Sequence, residues 1–346
     1  MIRVGIIGST GYAGAEIARL LTGHKEVEIK YLVSRSYAGQ AYQDIFGNLF
    51  EIINKDCTDV SLKDMAGEVD VIFTATPQGY LQGELKADIL DKCRIIDMSA
   101  DYRIKDVETY EKWYGIKHNS PELLQEAVYG LTEINREAIK DTRLLANPGC
   151  FTTCSILTAY PLMKEHVIEK DSLVINALSG VSGAGRGAKV ANLFCEVNET
   201  AKAYGVTTHR HTPEIEEQLS YAYGDSVTLQ FTPHLVPMHR GILATETARL
   251  KGKYKYEDIK EIFDRYYGDE KFVRVLKKDV CPETRYTEGS NYVDVNFRID
   301  DRTGNIILMG ALDNLEKGAA SQAVQNFNVM FGFSEEEGIN MIPMIP

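Results

Sequence analysis

The sequence predicts an α/β protein: a doubly wound, Rossmann-type parallel sheet, then a second α+β domain on a mostly antiparallel sheet. Three observations predict it. A short apolar run, Ile2–Ile7, passes through the glycine-rich stretch Gly8–Gly14 into helix formers from Ala15 to Leu21. Further apolar runs then alternate with helical segments as far as Ala146. From Leu173 onward, the pattern shifts to strands with period-two alternation.

Ile2–Ile7 suits a strand buried on both faces. The turn Gly8-Ser9-Thr10-Gly11-Tyr12-Ala13-Gly14 follows it directly. Glycines permit a tight turn, and the next helix offers free N–H groups to a pyrophosphate. The spacing is G-x-x-G-x-x-G rather than G-x-G-x-x-G, so an unliganded turn is the competing reading. The second strand, Val27–Val33, ends in Ser34-Arg35-Ser36 with no acidic residue. Arginine and hydroxyls suit a 2′-phosphate, which points to NADP(H); a solvated loop arginine is the alternative. Val69–Ala75, Arg94–Met98 and Arg143–Ala146 supply three more strands. Ligands of such sheets bind beyond the carboxyl ends of the strands. Those ends are Thr76-Pro77, Ser99–Arg103 and Asn147-Pro148-Gly149-Cys150.

Cys150 therefore stands where a strand-end turn opens a helix, marked by Ile156, Leu157, Tyr160 and Met163. Pro161 predicts that this helix kinks or ends early. A helix N-terminus favours thiolate and makes sulfur a nucleophile at neutral pH. Its backbone N–H would also face a developing oxyanion. Against this stands a buried structural cysteine, the reading that Cys154 receives one turn later. The segment Thr208-His209-Arg210-His211-Thr212-Pro213-Glu214 supplies acid/base groups. Thr212 reads as an N-cap and Pro213 as the first helical residue. His209 and His211 would then lie in the preceding loop, with Glu214 in the first turn to orient a histidine. A metal site on H-x-H-x-x-E is disfavoured, since no further His/Cys cluster completes it. His234 and His239 are alternative bases; His24, His118 and His166 read as surface residues.

In the second half, Ser179-Gly180-Val181-Ser182-Gly183-Ala184-Gly185-Arg186 is a glycine-rich loop ending in a cation. Its N–H groups could wrap an anion that Arg186 closes, or it is a plain flexible loop. Asp301-Arg302-Thr303-Gly304 predicts a hairpin turn. Asp313–Gly318 opens a last helix with a core face of Ala319, Ala320, Ala323, Val324 and Phe327. The expected organisation is a nucleotide-binding domain over 1–149, a catalytic domain over 150–313, and a C-terminal helix over 314–346 that packs back on the first domain.

The 346 residues are 44% hydrophobic and 25% charged, with a formal charge of −12. That average field and the lack of a basic run argue against nucleic acid and anionic membranes. No run reaches the roughly 20 apolar residues of a membrane span. Met1 leads straight into a strand, without a signal-peptide pattern. Six widely spaced cysteines form no C-x-x-C pair, which fits reduced thiols and a cytoplasmic location.

Taken in order, GSTGYAGAE, DMSADYR, NPGCFTT, SGVSGAGR, HRHTPEIE, TPHLVPM and DNLEKGAASQA span nearly the whole chain. With these motifs it resembles the N-acetyl-γ-glutamyl-phosphate reductase family of arginine biosynthesis, within the semialdehyde dehydrogenase superfamily. The resemblance implies that Cys150 is the nucleophile and His209 the general acid/base, with His211 and Glu214 beside it. It implies NADP(H) contacts from Gly8, Ser9, Thr10, Gly11, Tyr12, Ala13, Gly14, Ser34, Arg35, Pro77, Ser182, Gly183, Asn314 and Lys317. Substrate contacts fall to Arg103, Asn147, Ser179, Gly180 and Arg186, arginine being suited to a carboxylate or phosphate. The implied chemistry is attack of Cys150 on an acyl phosphate, release of phosphate, and hydride reduction of the thioester to a semialdehyde. His209 protonates the oxyanion formed on the way. No metal is implied, and a homo-oligomer, dimer or tetramer, is. Thr152 departs from the Pro or Ala usual in that family, Cys154 from a smaller residue, and His239 from Thr or Asn. A carrier-linked amino-adipyl-phosphate reductase shares most of these motifs, and aspartate-semialdehyde dehydrogenase is disfavoured by HRHTPEIE. A cysteine hydrolase would leave the first glycine turn without purpose, and a non-catalytic NADP-binding protein would not need the thiol.

Overall fold

A computed structural model of the chain describes residues 1–345 and divides into two compact units. The first comprises Met1–Pro148 with Ala319–Asn340; the second comprises Gly149–Gly318 with the residues from Met341 on. The chain thus leaves the first unit at the Pro148–Gly149 peptide, one residue before Cys150.

The first unit is built on a six-stranded sheet of β1 (Ile2–Ile7), β2 (Val27–Val33), β3 (Val71–Thr74), β4 (Arg94–Asp97), β5 (Val128–Tyr129) and β6 (Leu144–Ala146). Their order is β2-β1-β3-β4-β6-β5, and every pairing is parallel. This is the doubly wound sheet that the sequence predicts. The observed β3, β4 and β6 are trimmed relative to the predicted runs. The two-residue β5 at the edge carries no apolar pattern long enough to read. Between β1 and β3 the chain order reverses, so the turn after β1 opens at the switch point of the sheet. The first helix, α1 (Tyr12–Thr22), follows that turn, with Ile17, Ala18, Leu20 and Leu21 buried.

The last helix, Ala320–Phe331, belongs to this unit and is buried over nearly its whole length. Its amides serve as internal braces: Gln322 Nε2 donates to the Gly130 carbonyl (3.1 Å) and Asn326 Nδ2 donates to the same oxygen (2.7 Å). His24 and His118, read from sequence as surface residues, are instead buried. Each is tolerated because its ring finds a polar partner: His24 Nε2 meets Asn328 Oδ1 at 2.9 Å, and His118 Nε2 meets the Asp101 carbonyl at 2.7 Å.

The second unit carries a seven-stranded mixed sheet. Its strands are β7 (Val174–Ser179), β8 (Lys202–Ala203), β9 (Gln230–Leu235), β10 (Ile242–Arg249), β11 (Val273–Val275), β12 (Val293–Asp300) and β13 (Asn305–Leu312). The order is β11-β12-β13-β10-β7-β9-β8, parallel only at β11–β12 and β7–β9. The predicted turn at 301–304 joins β12 to β13, with Asp300 paired to Asn305. Across the sheet lies α2 (Cys150–Lys164), with every residue from Phe151 to Met163 except Tyr160 buried. Pro161 falls within its last turn, and the helix runs three residues past it. Gly310 of β13 admits this helix: a Cβ there would stand 2.1 Å from Thr158 Oγ1 and 3.1 Å from Cys154 Sγ. Helix α3 (His211–Tyr223) packs on α2 and starts two residues before the predicted Pro213. Pro213 still lies in the first turn, where a missing N–H removes no helical bond.

Beneath α2, Glu246 of β10 is wholly buried on the same face as Ala244 and Ala248. Neither carboxyl oxygen has a hydrogen-bond partner among the described residues, nor has the facing Ser155 hydroxyl. Burial holds the acid well above the ordinary glutamate range, with Ser155 pulling weakly the other way. An acid raised in the folded state contributes stability below its unfolded pKa and loses that contribution as pH climbs through the folded value. Glu246→Gln is therefore expected to flatten the pH dependence of urea unfolding above pH 5 and to be the more stable protein at pH 9, by on the order of 1–3 kcal/mol. Parallel curves for the two proteins would contradict a neutral buried acid.

Candidate active site

The glycine turn is fixed by backbone packing. Gly8 has φ +77°, a left-handed conformation that disfavours side chains, and a Cβ there would lie 2.2 Å from the Ala75 carbonyl oxygen. A Cβ on Gly14 would lie 2.3 Å from the Gly8 oxygen. Gly11, the cap of α1, meets only that same oxygen at 3.5 Å, so its outer face is open. Two glycines thus press turn, helix and β3 together, and the third lets a ligand approach the helix start. The N–H groups of the first turn of α1 have no intrahelical acceptor and point that way. These features fit a dinucleotide pyrophosphate.

The side chains of the turn mostly face inward. Ser9 is wholly buried and donates to the Val33 carbonyl (3.1 Å), while Tyr42 donates to the Ser9 carbonyl (2.7 Å). Thr10 Oγ1 and Ser34 Oγ are 2.8 Å apart. Tyr12, Arg35 and Pro77 are exposed. The Arg35 guanidinium lies over the Tyr80 ring (5.5 Å), with Asp59 4.0 Å away. Arg35 therefore stands exposed at the end of β2, against Tyr80 and Asp59, where an adenosine ribose would pass in such a sheet.

The loops after β3 and β4 are tied together by buried acids. Asp101 accepts from the Gly79 and Gln82 N–H groups and from the Tyr110 hydroxyl. Asp97 accepts from Thr74, the Ser99 N–H and the Ser99 hydroxyl. Burial and the charge of Asp101 push Asp97 up to about 6, against the pull of those donors. Two predicted substrate contacts are spent on the same framework. Arg103 is buried and donates to the Asn147 carbonyl (2.7 Å) and the Met98 carbonyl (2.7 Å). Asn147 is wholly buried, donates to the Ala319 carbonyl (3.1 Å) and accepts from Asn326 (3.1 Å).

In the second unit, Cys150 is the first residue of α2, half-buried, behind the cap Gly149. The cap supplies no side-chain bond, and the first turn holds no acidic residue of its own. The acid comes from α3. Glu214 is wholly buried, and its Oε1 accepts from the Gly149 N–H (3.0 Å) and lies 2.8 Å from Thr152 Oγ1. Phe151 packs edge-on against His209 and His211, with centroids 5.7 and 6.0 Å apart. Both residues that follow Cys150 thus grip the histidine segment.

His209 is enclosed by Phe151, Tyr204, His211 and Phe231, with ring centroids 4.8–5.7 Å away. Burial, then the charges of His211 and Arg210, pull its pKa down to about 3, against the opposing Glu214. Its Nδ1 accepts the His211 N–H (3.2 Å), so the neutral ring carries its proton on Nε2. Glu214 thus holds the start of α2, and its charge also acts on His209.

The Ser179–Arg186 loop differs from an anion cradle. The N–H groups of Gly180, Val181 and Ser182 donate to the Gly241, Met238 and His239 carbonyls, and those of Gly183 and Gly185 bond within the loop. Gly180 is required because a Cβ would fall 2.8 Å from the Arg240 nitrogen. Ser179 is buried and donates to the Gly180 carbonyl. Asn314 donates to Ser182 Oγ (2.9 Å) and accepts from the Gly241 N–H (2.7 Å), and Lys317 is wholly buried. Asn314 therefore braces the loop, and both Asn314 and Lys317 are buried, with almost no surface open to a cofactor. The segment that carries Asn314 and Lys317 ends against the cysteine, since a Cβ on Gly318 would lie 2.8 Å from Cys150 Cβ. Gly183 and Arg186 remain exposed. Sequence reasoning missed Tyr204, whose phenol is pushed up by burial and then by Cys150, and Arg240, which pairs with the buried Asp313 (3.3 Å) and Glu316 (3.6 Å). Neither lies in a pattern whose spacing carries a signal.

Residues 3–142 match the family described as semialdehyde dehydrogenase, NAD binding domain, and residues 150–314 match semialdehyde dehydrogenase, dimerisation domain. The chain is 63% identical, over all of both chains, to an N-acetyl-gamma-glutamyl-phosphate reductase of Lachnoclostridium phytofermentans. It is 61% identical over all of both chains to that of Lachnospira eligens, and 53% identical over 98% of each chain to that of Campylobacter jejuni. Among solved structures, aspartate semialdehyde dehydrogenase II of Vibrio cholerae, complexed with ASA, shares the fold at a TM-score of 0.72 and 17% identity, over 96% of this chain and 98% of that one. The aspartate semialdehyde dehydrogenase of Candida albicans with NADP matches at 0.69 and 16%, over 96% and 98%.

The enclosure of His209 is directly measurable. Its ring is expected to show no protonation step between pH 5 and 8 in an NMR titration of the free protein, since its pKa lies near 3. A midpoint near the ordinary histidine value of about 6.5 would contradict the enclosure.

Proposed function

Since the chain belongs to the N-acetyl-gamma-glutamyl-phosphate reductases of the semialdehyde dehydrogenase family, an oxidoreductase family, we propose that it reduces N-acetyl-γ-glutamyl phosphate to the semialdehyde through a thioester on Cys150. NADPH is the proposed reductant, and arginine biosynthesis the proposed setting. The single observation that carries this reading is the placement of Cys150: half-exposed at the start of α2, behind a glycine cap, with the histidine segment folded onto its neighbours.

The thiol sulfur attacks the acyl carbon, the carbon–oxygen bond to phosphate breaks, and the thiol proton leaves with the phosphate. Cysteine suits both halves of the reaction, being a strong nucleophile and a good leaving group. The free N–H groups at the start of α2 stabilise the tetrahedral oxyanion. His209 offers its Nε2–H to the same oxygen as a neutral donor. When bound, the reduced nicotinamide would supply the hydride that adds to the thioester carbon. The carbon–sulfur bond then breaks as the carbonyl re-forms, which releases the semialdehyde, and the Cys150 thiolate takes a proton from solvent.

The Gly8–Gly14 turn would hold the pyrophosphate through backbone N–H groups, with Arg35 as the cation for a 2′-phosphate. Arg186, exposed at the end of the glycine-rich loop, is the cation proposed to meet a substrate anion. A homo-oligomer through the second unit follows from its match to a dimerisation domain. A cytoplasmic location agrees with the absence of any disulfide among the described residues, where also no helix is long and apolar enough to cross a membrane.

The test is reduction of NADP by N-acetylglutamate semialdehyde plus phosphate, beside the amino-adipate analogue. Cys150→Ser is expected to keep nucleotide binding and lose turnover by about 10³-fold or more. Turnover within about tenfold of the parent would remove covalent catalysis from the account.

A further inference from the structure

We propose that Tyr80 is a positioning residue for nucleotide choice: its ring holds the Arg35 guanidinium at the end of β2, ready for a 2′-phosphate, and so sets a preference for NADP over NAD. The proposal rests on Arg35 being the cation for that phosphate, and its test reads binding instead of turnover.

The strand order brings the two residues together. Arg35 follows β2 and Tyr80 follows β3, and in the sheet these strands flank β1. Neighbouring strands lie about 4.8 Å apart, so two strands separated by a third stand about 10 Å apart. The two side chains meet across that gap, with the guanidinium carbon 5.5 Å from the ring centroid. Their contact therefore spans the carboxyl end of β1, where the Gly8–Gly14 turn begins. That is the end of the sheet at which such folds hold a nucleotide.

The partners differ in freedom. The Arg35 side chain is 75% exposed. A long exposed side chain loses much rotamer entropy when a ligand fixes it. Tyr80 is held from below. It packs against the buried core of the first unit and opens the short helix Tyr80–Glu84. The preceding Gly79 is left-handed, with φ +90°. Asp101 ties this turn down from the loop after β4, accepting the Gly79 N–H (2.7 Å) and the Gln82 N–H (3.2 Å). A fixed ring thus carries a flexible cation, which lowers the ordering cost when a phosphate arrives. Stacking engages the flat face of a guanidinium and leaves its N–H edges to make bidentate bonds.

Asp59 is the other group beside this cation, with Oδ1 4.0 Å from Arg35 Nε. It follows Thr58, whose carbonyl accepts from the Ser34 N–H and whose own N–H donates to the Leu32 carbonyl, along the outer edge of β2. Both members of the ion pair are exposed, and such a pair holds little. A carboxylate there would also repel an incoming phosphate. The ring attracts the cation without neutralising it.

The experiment is calorimetric titration of the full-length protein with NADP and with NAD, which differ by the 2′-phosphate alone. Tyr80→Leu, which keeps an apolar anchor, is expected to lower the ratio of the NAD to the NADP dissociation constant by about threefold or more, with NAD binding held within about twofold. Tyr80→Phe keeps the ring and the parent ratio. In an Arg35→Ala background Tyr80→Leu changes the ratio no further, because the ring acts through the cation. An unchanged ratio in Tyr80→Leu, an equal fall in Tyr80→Phe, or a further fall in the double variant overturns the proposal. So does an equal fall in Asp59→Asn, which would make the acid the positioning group. A parent that binds the two nucleotides alike, or whose preference survives Arg35→Ala, removes the reading of Arg35 as the phosphate's cation, and the proposal with it.

Discussion

The structure of the second unit depends on one constraint, a helix whose start is held by another helix. Gly149 leaves α2 without a side-chain cap, and the carboxylate of Glu214 takes that place from 65 residues away. This contact fixes Cys150 against the histidine segment with bonds on either side of the sulfur. It also explains why the unit tolerates a wholly buried carboxylate: the orphan N–H of a helix start and a buried hydroxyl converge on one of its oxygens. Glu246 shows the contrast. Its carboxyl oxygens have no hydrogen-bond partner among the described residues, and burial raises its pKa well above the ordinary glutamate range.

The first unit solves a different problem, bringing a backbone close to an anionic ligand. Gly8 and Gly14 are spent on internal packing and Gly11 on access. The buried Asp97 and Asp101 hold the neighbouring strand-end loops through N–H and hydroxyl donors, and Arg103 closes that framework on two carbonyls. Rigid loops with little freedom to lose on binding are what a preorganised site needs. In both units many of the fully buried polar residues, among them Asp97, Asp101, Asn147 and Asn314, brace the backbone, whereas Arg35, Arg186 and Pro77 are exposed.

Much of this was legible in the sequence. The alternation of apolar runs with helical segments gives the parallel sheet, because a strand buried on both faces has no polar side to show. The glycine turn is readable because only glycine fits its left-handed start. Cys150 at a helix start follows from Pro and Gly ending one pattern and a helical one beginning. What failed to show was direction. Asn314 and Lys317 stand in a family motif, but a motif does not say which way a side chain faces. Glu214 also bonds Gly149 and Thr152, 65 and 62 residues away, which no local spacing reveals. The Ser179–Arg186 loop has the glycines of an anion cradle, yet its N–H groups are consumed by carbonyls of the 238–241 segment, which no local pattern reveals. His24 and His118 look polar enough for the surface until their distant partners are known.

The central claim is that Cys150 carries the acyl group. Incubating the protein with N-acetyl-γ-glutamyl phosphate in the absence of nicotinamide, then quenching in acid and mapping peptides by mass, tests it most directly. The account predicts phosphate released in one equivalent per site and a hydroxylamine-labile N-acetylglutamyl group on the peptide that contains Cys150. An unmodified Cys150 alongside a competent enzyme, or the acyl group on any other residue, would contradict it.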